Sequence, residues 1–147
     1  MKAILISCLL CLLLMACGRH APPEDNSPDG QLRRKLIGTW TMDRTLDHAQ
    51  EVTNIASDSR VLLSANGTFE SRFINHGSNF SHDFAYTGTW FVTNGELRSV
   101  IKSSSYPNLV PTGTTNQFKI TRVESNEMVW FDPGSVQTLY YRRVTSP

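Results

Sequence analysis

Cysteine is scarce in this chain and confined to one end: of 147 residues three are Cys, at positions 8, 11 and 17. Beyond residue 17 there is no thiol, which excludes a disulfide, a Cys-based metal site and a Cys nucleophile from the rest of the chain. An excess of one charge is also missing, with 14 Lys plus Arg against 13 Asp plus Glu. That balance argues against a basic nucleic-acid binder and against an acidic tail. No Ser sits in a nucleophile-elbow pattern, and no pair of carboxylates shares a strand face in a position to do acid–base work. His76, His82 and Asp83, or Asp47 with His48, follow no zinc spacing. The expectation is a non-enzyme that needs no cofactor and no metal.

Long apolar runs are absent except for one, Ala3 to Met15, which follows Lys2. It is short for a membrane span and suits the apolar region of an export signal. Leu14-Met15-Ala16-Cys17 closes it and resembles the bacterial lipobox, in which a small residue precedes an invariant Cys. The resemblance implies a signal peptide over 1–16 and Cys17 as the lipidated first residue of the mature chain. An ordinary secretory signal with a chance Cys is the plainer alternative. Gly18 stands where an Asp would favour inner-membrane retention, so the resemblance implies an outer-membrane lipoprotein of the bacterial envelope. Residues 17–35 then read as a tether, because Gly18 to Gln31 contains Pro22, Pro23 and Pro28 and almost no apolar side chain. Arg33-Arg34-Lys35 reads as a solvated face ahead of the first strand.

From Leu36 onward the pattern is alternation broken by turn residues, the mark of an all-β domain over 36–147. Strands are expected at Leu36–Met42, Arg60–Ser64, Thr68–Asn75, Phe84–Val92, Glu96–Lys102, Thr115–Val123, Glu127–Phe131 and Val136–Val144. Asn66-Gly67 and Asn94-Gly95 give hairpin turns, and Asp132-Pro133-Gly134-Ser135 another. Asp43–Ser59 reads as a long loop or lid in which Leu46, Ala49 and Val52 permit one helical turn, Ser103–Thr114 as a second long loop, and His76–Asp83 as a polar one. Eight strands in consecutive antiparallel order make an up-and-down barrel. The triplet Gly-Thr-Trp occurs twice, at 38–40 and 88–90, each time with Gly and Trp on one face of a strand. Both copies read as places where the sheet curves and a Trp plugs the interior.

Leu36-Ile37-Gly38-Thr39-Trp40, then Leu62 through Phe69, then Tyr86-Thr87-Gly88-Thr89-Trp90, resemble in order the motifs of bacterial lipocalin-like domains. The resemblance spans residues 36–144 and implies a lipocalin-like barrel whose first-strand Trp closes one end. It also implies a stacking Arg from the last strand, and Arg142 and Arg143 are both placed for that role. The candidate interior or ligand-lining set is Trp40, Phe69, Phe73, Tyr86, Trp90, Leu97, Ile101, Phe118 and Ile120, with Trp130 as a further candidate. A barrel of this size is either filled by side chains or holds one small ligand. Bulky inward residues favour filling, whereas Ser71, Gly88 and Ser99 leave room near one mouth. Two functions follow: a lipid-anchored barrel holding a small apolar or amphipathic ligand, or a filled barrel displaying apolar loop residues such as Leu109 and Val110 to an envelope protein. Neither requires nucleic acid.

Overall fold

The computed structural model describes residues 24–52, 59–77 and 80–145. Cys17, the leader before it and residues 18–23 lie outside the described residues. Helix α1 (Pro28–Leu36) precedes nine strands: β1 (Gly38–Asp47), β2 (Gln50–Val52), β3 (Arg60–Leu63), β4 (Thr68–Gly77), β5 (Phe80–Thr93), β6 (Glu96–Ser104), β7 (Thr115–Val123), β8 (Glu127–Asp132) and β9 (Gln137–Arg143). β1 pairs with β3, the order runs consecutively from β3 to β9, and β9 pairs back onto β1. The result is a closed antiparallel barrel of eight strands, as alternation and turn spacing predict. The β9–β1 pairing closes the sheet on itself, so both of its terminal strands are joined. Short β2 pairs with Thr45–Asp47 at the far part of β1, beyond the stretch used by β3.

Period-2 alternation sets the inner face. Phe69 and Ser71 on β4, Gly88 and Trp90 on β5, and Leu97, Ser99 and Ile101 on β6 are buried, while Thr87, Thr89 and Phe91 are exposed. Gly88 has a steric duty. A Cβ there would lie 2.0 Å from the Val100 carbonyl oxygen and 2.7 Å from the Phe69 ring. The β5–β6 register shifts between Thr87 and Gly88, so the close approach coincides with a bulge that bends the sheet.

Three expectations are corrected. The stretch assigned to a tether ends in α1: Ser27 caps it by accepting from Gly30 N (3.0 Å), Pro28 opens the first turn, and Arg33, Arg34 and Lys35 complement the dipole in the last. Ordering this segment is offset by burial of Leu36, completely, and of Leu32, in part. Second, Asp43–Ser59 is not a loop throughout, because β1 runs on to Asp47 and β2 folds back on it; residues 53–58 lie outside the described residues. Third, His76–Asp83 is not a loop throughout either. β4 and β5 stay paired to Gly77↔Phe80, since the backbone ladder does not depend on apolar side chains.

Helix α1 seals one end of the barrel. Asp29 accepts from the amides of Asn94 (2.8 Å) and Gly95 (2.9 Å) at the β5–β6 turn. Arg33 donates to the Ala65 carbonyl at the β3–β4 turn (2.6 Å) and lies 5.4 Å from the centre of the Trp90 ring, so it is no solvated bystander. Leu36 supplies its carbonyl to the buried Trp40 indole N–H at 2.8 Å. The opposite end carries the β1–β2, β6–β7 and β8–β9 connections.

Candidate functional site

The repeated Gly-Thr-Trp triplets build the sealed end. Trp40 is fully buried, and Arg143, its direct cross-strand partner, lies over the ring with the guanidinium carbon 4.1 Å from the ring centre. Arg143 also donates to the carbonyls of Lys35 (2.7 Å), Ile37 (2.6 Å) and Ser125 (2.7 Å). Arg142 stands opposite Thr41 and reaches Asp43 on the outside (3.1 Å). Register therefore selects Arg143 for the stacking role. Trp90 repeats the arrangement, with its indole N–H on the Ser64 carbonyl (3.0 Å) and Arg33 over its ring.

Beyond this plug the barrel is not filled. A cavity of about 210 Å³ is lined by Val61, Leu63, Phe69, Ser71, Phe73, Tyr86, Leu97, Ser99, Asn116, Phe118, Trp130, Asp132, Leu139 and Tyr141. Two aromatic groups flank it. Tyr86 stacks on Phe73 (5.6 Å between ring centres) and meets Phe69 edge-on (6.1 Å). Trp130 stacks on Phe118 (4.7 Å) and takes the Tyr141 ring edge-on (4.5 Å). Such pairs hold rings in fixed orientations and stiffen the wall.

The polar groups of the wall are few. Burial pushes the Tyr86 phenol above its ordinary pKa, partly offset by the Ser71 hydroxyl. Burial pushes the fully enclosed Tyr141 phenol much further, aided by Tyr86 and by the negative charge of Asp132. The Tyr141 hydroxyl and the Trp130 indole N–H are both enclosed, and the indole N–H beside the hydroxyl offsets part of that rise. Asp132 spends its carboxylate on its own turn, accepting from Gly134 N and Ser135 Oγ at 2.8 Å each.

Of the residues expected inside, Phe69, Phe73, Tyr86, Leu97 and Phe118 line the cavity, as does Trp130. Trp40, Trp90 and Ile101 are buried in the core and do not line it; Ile120 is half-buried against the core. Gly88 adds no room, because the Phe69 ring and Val100 carbonyl take its space, whereas Ser71 and Ser99 do line the cavity. Val61, Leu63, Asn116, Asp132, Leu139 and Tyr141 escaped the sequence reading. Asn116 and Asp132 each stand two residues from an inward aromatic, so alternation alone points to them. Val110, expected to be exposed, is half-buried against the core, while Leu109 beside it is 69% exposed. Asp83 forms an exposed ion pair with Arg72, whose guanidinium holds its carboxyl below the usual range. Among the described residues no group of His, Cys, Asp and Glu is arranged to hold a metal ion.

A family model described as a lipocalin-like domain matches residues 36–130. No curated protein matches the chain in sequence. Among solved structures, an uncharacterized protein from Bacteroides eggerthii is similar at 15% identity with a TM-score of 0.51, covering 74% of this chain and 98% of that one. Japanin from Rhipicephalus appendiculatus, in a crystal form bound to cholesterol, is similar at 13% identity and TM-score 0.45, over 74% of this chain and 75% of its own. A deswapped triple mutant of bovine odorant binding protein is similar at 14% identity and TM-score 0.37, over 74% and 71%. The first likeness shows the fold; the other two are too distant to carry an argument.

Proposed function

The chain belongs to the lipocalin-like domain family, and from that premise we propose that it binds a small apolar or amphipathic molecule inside its barrel while anchored to the bacterial envelope through Cys17. The observation that carries the binding reading is the cavity of about 210 Å³ between two aromatic groups. It is larger than the roughly 150 Å³ apolar cavity that suffices for benzene, and smaller than the roughly 300 Å³ at which drug-sized pockets begin. The other reading, a solidly filled barrel serving as a platform for an envelope protein, rests on the bulk of the inward residues. The cavity weighs against solid filling, although exposed Leu109 on the β6–β7 connection offers such a partner one apolar contact. Family members are generally non-enzymatic binders, in keeping with a binding role here.

Anchoring is supported by the lipobox-like Leu14-Met15-Ala16-Cys17. Because α1 seals the barrel end nearest the chain's start, an anchor at Cys17 would hold the sealed end toward the outer membrane and turn the opposite mouth away from it. Native mass spectrometry of the protein purified from membranes tests the binding reading: a co-purifying small molecule, or displacement of a fluorescent lipid, is expected. A protein that carries nothing and displaces nothing would overturn it. Palmitate labelling that persists in Cys17→Ser would overturn the anchor.

A further inference from the structure

We infer that the molecule held in this cavity is a small organic cation, an ammonium on a single-ring apolar body, with the ammonium set against Asp132 at the open mouth and the body among the cavity's aromatic side chains. This rests on the reading that the cavity binds a ligand, and it names the class by charge and size.

The wall carries charge of one sign. Asp132 lines the cavity, and no Lys, Arg or His does. Asp132 ends β8 and stands opposite Gln137 in the β8–β9 register, at the end of the barrel away from α1. It is two residues from Trp130, on the same face of the strand. Elsewhere carboxylates have cations: Asp43 pairs with Arg142, Asp83 with Arg72, Glu96 with Arg98 and Glu127 with Arg122. Among the described residues no cation pairs with Asp132. Its bonds from Gly134 N and Ser135 Oγ come from neutral groups, so they fix the carboxylate without cancelling its charge. Each oxygen takes one of these bonds and keeps a second lone pair for a ligand N–H. The charge is felt inside the wall, since Asp132 adds to burial and to Tyr86 in keeping the Tyr141 phenol protonated.

The rest of the wall suits the same ligand. Phe69, Phe73, Tyr86, Phe118, Trp130 and Tyr141 all line the cavity. Ring faces carry partial negative charge and attract an ammonium, and a nearby carboxylate adds to that attraction. Asp132 is half-buried, so an ammonium beside it stays partly wet and avoids most of the cost of entering a dry interior. A carboxylate ligand would meet a like charge and find no cation, so fatty acids and other organic anions are disfavoured. Size narrows the class again. A space of about 210 Å³ takes a body somewhat larger than benzene and falls well short of a sterol or a full acyl chain.

The test compares phenethylamine, propylbenzene and benzoate, which have equal counts of non-hydrogen atoms and are cationic, neutral and anionic at neutral pH. Each is titrated into the full chain in phosphatidylcholine nanodiscs, with empty nanodiscs correcting for partition, and the indole N–H signals are followed by NMR. Phenethylamine is expected to bind about tenfold tighter than propylbenzene and to shift the Trp130 indole signal, with those of Trp40 and Trp90 unmoved. Benzoate is expected to bind at least tenfold more weakly than the amine. Asp132→Asn keeps an oxygen for the Gly134 amide and removes the charge, so it should bring the amine-to-propylbenzene ratio toward one with propylbenzene affinity unaltered. Propylbenzene binding as tightly as the amine, benzoate binding best, or a folded Asp132→Asn protein that holds the amine as tightly as the parent would overturn the ligand class while leaving a binding cavity. Amine binding that leaves the Trp130 signal unmoved would place the cation on the outer surface and overturn the class as well. Binding of none of the three would overturn both the class and the binding reading.

Discussion

Arg143 lies flat over Trp40 because β9 and β1 pair those two residues directly, and the absence of a side chain at Gly38 leaves space for the guanidinium. A Cβ at Gly38 would sit 2.3 Å from Arg143 Nη1. One cation thereby ties the last strand, the end of α1 and the β7–β8 turn through three carbonyls. Lysine cannot reproduce a planar stack together with three divergent donors. Arg143→Lys should destabilise the fold by about 1–3 kcal/mol, whereas Arg142→Lys, on an exposed ion pair, should cost less than about 1 kcal/mol. Urea denaturation of both variants checks the ordering, and equal losses would remove Arg143 from this role.

The two motif glycines should not be equivalent. At Gly38 an added methyl meets the far end of a flexible side chain, but the backbone has φ +141°, which L side chains rarely adopt. At Gly88 it meets a backbone carbonyl at 2.0 Å inside a bulged strand pair, where nothing can move aside cheaply. Gly88→Ala should therefore be the more damaging change, costing more than about 3 kcal/mol or preventing folding. Gly38→Ala should cost about 1–3 kcal/mol. Thermal unfolding that ranked Gly38→Ala as the worse variant would contradict the close-approach account.

Asp29 carries the junction between α1 and the barrel. Its carboxylate takes the amides of Asn94 and Gly95, where Asn94 has φ +54° in a tight hairpin turn. Asp29→Ala should cost about 1–2 kcal/mol and should speed hydrogen exchange at the Asn94 and Gly95 amides and along α1. Exchange unchanged at those amides would show that the helix is held by its apolar face alone.

The barrel was legible in the sequence because its signals are local. Alternation placed Phe69, Phe73, Leu97 and Phe118 inward, and the turn at Asn94-Gly95 fixed a register. What stayed hidden depends on long-range geometry. Which Arg meets Trp40 is decided by β1–β9 register, across the longest sequence separation in the barrel. Helix α1 had its local signals, Ser27, Pro28 and Asp29, yet its stability comes from Leu36 docking on a core that does not exist until the barrel closes. Whether the interior is full or hollow depends on how ring volumes tile, which no alternation encodes. Tyr141 is the instructive case: its period matches the inner face, but nothing local says that its hydroxyl is fully enclosed beside the Trp130 indole.

That hydroxyl sets an alkaline limit on stability. Folding raises the Tyr141 phenol well above its ordinary pKa of 10.0, because burial disfavours the phenolate. Below about pH 10 the phenol is protonated in both states and contributes no pH dependence. Above that value the unfolded chain loses its proton while the folded one keeps it, so stability falls as pH rises, by up to about 1.4 kcal/mol per pH unit. Tyr86, raised in the same direction, adds to the loss. Tyr141→Phe should flatten the fall between pH 10 and 11 relative to the parent, in about the range where phenols titrate. It should also leave stability at pH 7 within about 1 kcal/mol of the parent, since the hydroxyl's near partner is the Trp130 indole N–H alone. Denaturation midpoints across that range decide it; an unchanged alkaline slope would mean that the Tyr141 phenol is not enclosed.

Ser99 offers a way to separate the cavity from the fold. It is 6% exposed, lies on the inner face of β6 between Leu97 and Ile101, and lines the cavity. Replacing it with Leu extends apolar atoms into open space, so the overpacking cost that attends such changes in a filled core should be small. Burying the added methyl groups should offset it, leaving the melting temperature unchanged or higher. The same atoms occupy space that a ligand needs, and affinity for any molecule held in the barrel should fall by about tenfold or more, the equivalent of about 1.4 kcal/mol. The opposite pattern is equally informative. A Ser99→Leu protein that melts normally and binds as tightly as the parent would place the binding site elsewhere, because the cavity cannot hold both the leucine and an unaltered ligand.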